Sequence, residues 1–518
     1  MGATWQTILL SGIIYLSLLT GCQPDDFAGL TNTETQSEST QSVAQPEVEP
    51  VTITILNTAD EHGWLQPVTP FRSDKTIGGA ANVYSWWLEK EQLDPETFLI
   101  LSGGDNWTGP SISTWFEGEP MTEVFNYMGY HASVIGNHEF DFGREVMGQR
   151  FAEADFPYLG ANIRDKATGE LADFTQPYLL TEVRGVMVGI LGLATIDTPT
   201  TTHPKNISDL EFAPYDETVD RYLPEMKAKG AEIMIILSHV CLPDLITLAR
   251  QTEGVHAMFA GHCNVLDARI VNGISVIGSG GKFASYARLD ITYDRATGDV
   301  TDMVQTLVPV SYITADGNPV TPDPEITATI AEWQTRVDQQ LNEPIGYLAT
   351  ELRQRSHPQA NLVTDAWLWA YPSADIAVTN WGGFRAFLPA GDITWGTVVD
   401  VLPFDNNLTT VTITVRQLAE NLLCCGGAVG GITYQIQGST IDIKLMDGSD
   451  LDLDATYTVI INDFMYAGGD DYRFGAQDPQ GYDTSIHWRQ PVIDYILSLE
   501  TSEAAPLNAQ LDVTARLR

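Results

Sequence analysis

From Val51 onward the chain alternates short apolar runs with amphipathic stretches, and nearly every run stops at an Asp, Asn or His. Val51–Asn57, Phe98–Leu101, Ser133–Ile135, Ile233–Leu237, Ala257–Ala260 and Ile274–Ile277 are rich in aliphatic residues and bounded by Gly, Asp or Asn, which predicts strands. Between several of them, Ala80–Leu93 and Tyr215–Lys229 space their apolar residues for one helical face. This pattern predicts an α/β fold, with helices covering a sheet. Such folds place their sites beyond the C-terminal ends of the strands.

That is where the chemistry-bearing residues fall. Ile53–Thr58 runs into Asp60-Glu61-His62, and Phe98–Leu101 into Gly104-Asp105-Asn106. Ser133–Ile135 runs into Gly136-Asn137-His138-Glu139-Phe140-Asp141, Ile233–Leu237 into Ser238-His239, and Ala257–Ala260 into Gly261-His262-Cys263-Asn264. Each motif alone is weak in so acidic a chain; five at successive strand ends, holding four of the nine His, point to one site. Imidazole, carboxylate and amide oxygen without thiolate suit zinc, manganese, cobalt or iron rather than a structural zinc centre. In Asp60-x-His62 and His262-x-Asn264 the i, i+2 spacing predicts both side chains on one face of an extended segment, with Cys263 turned away.

The set resembles the calcineurin-like metallophosphoesterase domain, and within it the 5′-nucleotidase family, most specifically through Gly-Asn-His-Glu-Phe-Asp at 136–141. The resemblance implies a four-layer sandwich domain joined by a linker helix to a smaller mixed α/β substrate-binding domain. It implies two divalent metal ions: zinc, manganese or cobalt first, with magnesium or iron as further candidates. One ion would take Asp60, His62, Asp105 and Asn264; the other Asp105, Asn137, His239 and His262. His138 with Asp141 matches the catalytic dyad. The chain departs from the family at Asn57-Thr58-Ala59-Asp60, which usually reads His-Thr-Asn-Asp, and at Asn264, often His. Because the resemblance gives His239 and His262 to the same ion, it also brings Cys241 and Cys263 near enough for a disulfide. Cys424 and Cys425 are adjacent, and a bond between neighbours is strained.

Near Thr321 the texture changes. Thr321-Pro322-Asp323-Pro324 signals a helix start, and Ile326, Ile330, Trp333, Val337 and Leu341 form one stripe, so 323–345 is expected to link a domain at 51–322 to a second at 346–518. In the second, Asn361–Ala370 reads as helix, and Thr409–Val415, Ile441–Leu445 and Tyr457–Ile461 read as strands. Asn361-Leu362-Val363-Thr364-Asp365-Ala366, Asn380-Trp381-Gly382-Gly383-Phe384-Arg385, Leu402-Pro403-Phe404 and Asn462–Asp470 resemble family segments of the substrate domain, with Trp381 and Asp471 each standing where Gly is usual. The resemblance implies that Phe404 and Phe464 sandwich a nucleobase, Asp470 holds the ribose hydroxyls, and Arg353, Arg385 and Asn380 hold phosphate or sugar. Those residue types fit: aromatic faces stack on any base, and Arg offers a two-pronged donor to phosphate.

Residues 1–21 carry no charge, and Ile8–Leu19 suits a signal-peptide core, although Met1–Thr7 lacks the usual Lys or Arg. Leu19-Thr20-Gly21-Cys22 resembles a bacterial lipobox, which implies an exported cell-envelope lipoprotein with Cys22 lipidated and cleavage before it. Residues 23–50, rich in Ser, Thr, Gln, Glu and Pro with no base, read as a spacer that cannot fold alone. With 68 Asp+Glu against 27 Lys+Arg the chain disfavours nucleic acid and anionic membrane surfaces as partners, so a lipid would be its one membrane attachment. The expected activity is removal of the 5′-phosphate from nucleotides. Its alternatives are a UDP-sugar pyrophosphatase, a 2′,3′-cyclic-nucleotide phosphodiesterase and a non-catalytic nucleoside-binding surface lipoprotein. A hydrolase of small sulfur compounds would have no use for a base sandwich.

Overall fold

The computed structural model describes residues 49–68, 76–313 and 317–517. The signal-peptide and lipidation expectations, Cys22 included, and all but the last two spacer residues lie outside them. None of the described helices is long and apolar enough to cross a membrane.

Two six-stranded sheets build the first part. One runs, edge to edge, Asp299–Pro309, Ser285–Asp294, Val51–Thr58, Phe98–Ser102, Ala132–Val134, Tyr158–Leu159. The other runs Leu266–Val271, Ile274–Ser279, Ala257–Ala260, Ile233–Ser238, Val186–Leu193, Tyr178–Val183. The five strands that carry the motifs run parallel to one another within each sheet, and of these only Val51–Thr58 also has an antiparallel neighbour, Ser285–Asp294. They are wholly or nearly buried, as their continuous apolar runs require. Antiparallel hairpins close the edges: Ser285–Asp294 with Asp299–Pro309, and Tyr178–Val183 with Val186–Leu193.

The inner faces meet in one core, with Ile53, Ile55, Leu99, Leu101 and Val134 against Val188, Ile190, Ile235, Leu237 and Phe259. Helices cover both outer faces. Ala80–Glu89 and Glu119–Met128 lie on the first sheet, and Tyr215–Ala228 and Leu242–Ala249 lie on the second. This α/β/β/α order is a four-layer sandwich.

Helix Pro324–Leu341 starts where Asp323 accepts from the amides of Glu325 and Ile326, both at 3.0 Å. It buries Ile326, Ile330, Trp333, Val337 and Leu341 against the first domain. Beyond it a five-stranded sheet runs Ala428–Gly430, Ile376–Thr379, Thr456–Asn462, Asn407–Thr414, Tyr482–His487. Helices His357–Ala370 and Gln490–Ser498 cover one face and Val415–Cys425 the other. Cys424 and Cys425, where that last helix ends, are joined to each other; Gly426 and Gly427 follow at φ 72 and 142, so no helical residue constrains the pair from its C-terminal side.

Candidate active site

Five loops leave the C-terminal ends of the two sheets and converge. Asp105 is the hub, 1% exposed, with Oδ2 at 3.0 Å from His239 Nε2 and 3.8 Å from His62 Nε2. His262 Nδ1 lies 3.2 Å from His239 Nε2. Ligand-capable atoms of Asp105, His239 and His262 fall within 4.8 Å of one another, as do those of His62, Asp105 and His138. His138, expected as a catalytic group, thus also borders the cation-binding cluster. Asp60 and Asn137 are buried beside it.

The loops are not extended, as the i, i+2 reading had it. Asp60, His62, Asp105, His262 and Asn264 all sit at positive φ: 55, 46, 58, 68 and 51°. That region is sparsely used by non-glycine residues and clusters at functional sites. The cause is visible in the hydrogen bonds: the amides of Asp60, His62 and Gly63 donate to the carbonyls of Gly104, Asp105 and Asn106. Two strand-end loops are thereby zipped together, and each must curl to keep pace. Gly136 is obligatory here, because a Cβ would stand 2.2 Å from Asp105 Oδ1.

His138 donates its Nδ1 hydrogen to Asp141 at 2.7 Å, which leaves Nε2 as the nitrogen able to meet a ligand. Burial disfavours a charged His138, and the carboxylates of Asp141 and Asp105 outweigh it, so the net shift is upward. Thr202 Oγ1 donates to Asp141 at 3.1 Å, and Asn137 Nδ2 donates to the Thr201 carbonyl at 3.1 Å.

The second domain closes over this cluster around a cavity of about 750 Å³. His62, Asp105, Asn137, His138, Asp141, His262 and Asn264 line one side; Asn380, Arg385, Phe404, Phe464 and Asp470 line the other. Asp60 and His239 lie beneath the lining, both fully buried. Arg385 reaches across, Nη2 at 3.1 Å from both ring nitrogens of His62. Phe404 stacks on His138 with ring centres 5.6 Å apart, and Phe404 and Phe464 are only half-buried, leaving ring area for a ligand. Asp470, at φ 51°, accepts from Asn380 Nδ2 at 2.7 Å. Arg353 is exposed and does not line the cavity; Arg355 does, because the chain turns at its positive φ of 57°.

Comparisons with known proteins agree with this arrangement. Residues 339–477 match the family model described as 5′-nucleotidase, C-terminal domain. The chain is 26% identical to a 5′-nucleotidase of Vibrio cholerae over 86% of its own length and 90% of that protein's. It superposes on the 5′-nucleotidase precursor of Thermus thermophilus with a TM-score of 0.78 and 25% identity, covering 90% of this chain and 99% of that one. Over most of its length the chain is similar to 5′-nucleotidases. It is also 27% identical to Endonuclease YhcR of Bacillus subtilis over 85% of its length. It spans 39%, 65% and 30% of the lengths of three curated relatives it matches, YhcR among them.

The similarity to 5′-nucleotidases implies a metal, and these residues fit one. Neither carboxylate oxygen of Asp60 nor Oδ1 of Asn137 has a hydrogen-bond partner, although all three are buried. Burial pushes the Asp60 carboxyl up to about 7, with His239 opposing and Asp105 adding to the rise. Burial also opposes a charged His239, but Asp105 beside it wins and raises its pKa to about 10. The cluster gathers buried acceptors with too few donors, a balance that a divalent cation restores.

Four supporting residues were missed in the sequence. Glu139, buried, accepts from the amides of Asp105, Asn106 and Gly136 at 3.0, 2.7 and 2.7 Å, locking two of the loops together. Its place inside the Gly-Asn-His-Glu-Phe-Asp motif was the one available signal. Thr201 ends the short helix Thr198–Thr201, and Thr202 and His203 follow it, with no sequence pattern to mark them. His203 pairs with Asp463 at 3.5 Å, linking the catalytic side to the residue before Phe464.

Proposed function

We propose that the protein is an exported, lipid-anchored two-metal hydrolase that removes the 5′-phosphate of nucleotides, releasing nucleoside and phosphate. The observation that carries this reading is the shared cavity: a His/Asp cluster with orphaned buried oxygens faces two half-buried Phe rings and the Asp470 carboxylate. One end suits a phosphoryl group and the other a nucleoside. Asp60, His62, Asp105 and Asn264 would hold one ion, and Asp105, Asn137, His239 and His262 the other. Bound there, two such ions would lower the pKa of a water and offset charge on the phosphoryl oxygens.

The chain's own residues do the rest. His138, its imidazole fixed by the Asp141 hydrogen bond, presents Nε2 to the phosphoryl group as a donor and can protonate the departing 5′-oxygen. Arg385 brings a guanidinium from the second domain to the same end of the cavity. Phe404 and Phe464 hold the base, Asp470 accepts from the ribose hydroxyls, and Asn380 fixes that carboxylate. Closure of the two domains excludes water, and their opening releases product.

The deciding experiment measures phosphate release from AMP and, by separation of the products, cleavage of a UDP-sugar, a 2′,3′-cyclic nucleotide and single-stranded DNA, with chelation and metal add-back. AMP should be hydrolysed, chelation should abolish turnover and metal should restore it. No metal-dependent release from AMP would remove the reading. The DNA arm separates it from a nuclease, which the charge of −41 already disfavours.

Two further outcomes follow. Phe404→Ala and Phe464→Ala should each raise KM for AMP roughly tenfold or more, as the loss of one base stack does, with little change in kcat. A KM unchanged in both variants would place the base elsewhere. Because the surface and the substrate are both anionic, kcat/KM should rise as salt increases from about 10 to 150 mM, where the screening length falls from about 30 to 8 Å. A flat or falling dependence over that range would show that the acidic surface does not govern encounter.

A further inference from the structure

Two of the five converging loops are joined covalently. Cys241 and Cys263 form a disulfide with Cα atoms 5.2 Å apart, inside the range such bonds ordinarily span. Cys241 stands two residues after His239, at the start of helix Leu242–Ala249. Cys263 lies between His262 and Asn264 and lines the cavity. The bond therefore ties the strand end carrying His239 to the loop carrying His262 and Asn264.

Besides the disulfide, that loop is held by backbone hydrogen bonds: the Gly261 amide on the Val240 carbonyl at 3.2 Å, the Cys263 amide on the Gly261 carbonyl at 2.8 Å, and the Gly280 amide on the Val265 carbonyl at 3.1 Å. His262 and Asn264 both occupy the left-handed region, at 68 and 51°. Cys263 and Asn264 are exposed. Gly261 passes so close to its surroundings that a Cβ would stand 2.6 Å from the Gly103 carbonyl and 2.9 Å from His239 Nδ1. His239, by contrast, is fully buried and fixed, its Nδ1 donating to the Gly103 carbonyl at 2.7 Å and its Nε2 against Asp105. One side of the staple is thus rigid and the other is an exposed loop in a costly conformation, so the bond transfers order from the first to the second.

We propose that the Cys241–Cys263 disulfide is a positioning device for the cation site, holding His262 and Asn264 in their ligating conformation, and that reducing it makes the site release its metal. The inference rests on the metallohydrolase reading above. The chemistry is thiol–disulfide exchange: a dithiol's thiolate attacks one sulfur, a mixed disulfide forms, and the second thiol completes the exchange. Cys241 and Cys263 leave as two thiols and the dithiol leaves as a cyclic disulfide. Neither cysteine is a ligand in this scheme. Among the described residues no cysteine belongs to either cation-binding cluster.

The test loads the full chain with zinc or manganese and follows metal transfer to a chromogenic chelator, so that the readout is metal and not activity. Three proteins are compared: oxidised wild type, the Cys241→Ser/Cys263→Ser variant, and a Cys424→Ser/Cys425→Ser variant treated with a dithiol, in which the only reducible pair is Cys241–Cys263. Metal loss should be about 10- to 100-fold faster in the last two, the range seen when groups supporting metal ligands are removed. Removing the dithiol and reoxidising should restore retention. Rates within twofold of the oxidised wild type would overturn the staple while leaving the hydrolase reading intact. If the serine variant fails to fold, the reduction arm alone decides. An oxidised wild type that takes up no metal would sink the hydrolase reading and this inference with it.

Discussion

Replacing His138 with alanine should reduce kcat for AMP by roughly 10²- to 10⁴-fold, the range that one positioned proton donor supplies, with metal content unchanged. The argument is geometric. The Nδ1 of His138 is committed to Asp141 at 2.7 Å, and its backbone amide donates to Asp105 Oδ1 at 2.9 Å. Alanine keeps that amide bond and removes only the ring, so the hub of the cluster is left in place. The measurement pairs steady-state kinetics with elemental analysis. Because the His138 ring atoms also lie within reach of His62 and Asp105, a loss of metal alongside activity would recast His138 as a ligand. Near-normal kcat would dismiss it from the chemistry altogether.

The second large effect belongs to Asp105. Its Oδ2 faces both His239 and His62, and its Oδ1 receives the His138 amide, so one carboxylate connects both candidate cation positions to the dyad. Asp105→Asn is the informative variant. Asparagine tolerates the positive φ of 58° and keeps an acceptor for the His138 amide, while it removes the charge. Metal affinity should fall by more than the roughly 100-fold that outer-sphere changes reach, and hydrolysis should fall with it. Added metal at high concentration should recover part of the activity. An Asp105→Asn protein that binds two ions as tightly as the wild type would remove Asp105 from its bridging role.

The sequence made the site's location legible because its physics is local. A buried parallel strand must be apolar throughout, and it must end where the first polar residue can reach solvent or a ligand. Asp60, Asp105, Asn137, His239 and His262 stand at such ends, and the structure brings them to one place. What was not legible depends on partners distant in sequence. The hairpins Tyr178–Leu193 and Ser285–Pro309 close sheet edges that exist only after the parallel strands assemble. The left-handed turns at Asp60 and His62 arise from pairing with residues 104–106, which no spacing rule around residue 60 can foresee. That Arg355 lines the cavity where Arg353 was expected follows from one backbone angle. Glu139 looked like one more acid in an acidic chain until three amides were found aimed at it.

The two sheets divide the candidate ligands between them. Asp60, His62, Asp105 and Asn137 leave the first, while His239, His262 and Asn264 leave the second. The distance between the two groups is therefore set by the thickness of the apolar layer of Ile55, Leu101 and Val134 against Ile190, Ile235 and Leu237. Packed interiors yield little to compression and pass strain along, so this layer acts as a spacer gauge for the cation centre. A methylene added or removed there, at residues that are not themselves ligands, would open or close the jaws of the site. Selection for a better-filled core and selection for a particular metal would then act on the same few side chains, and neither could be pursued without disturbing the other.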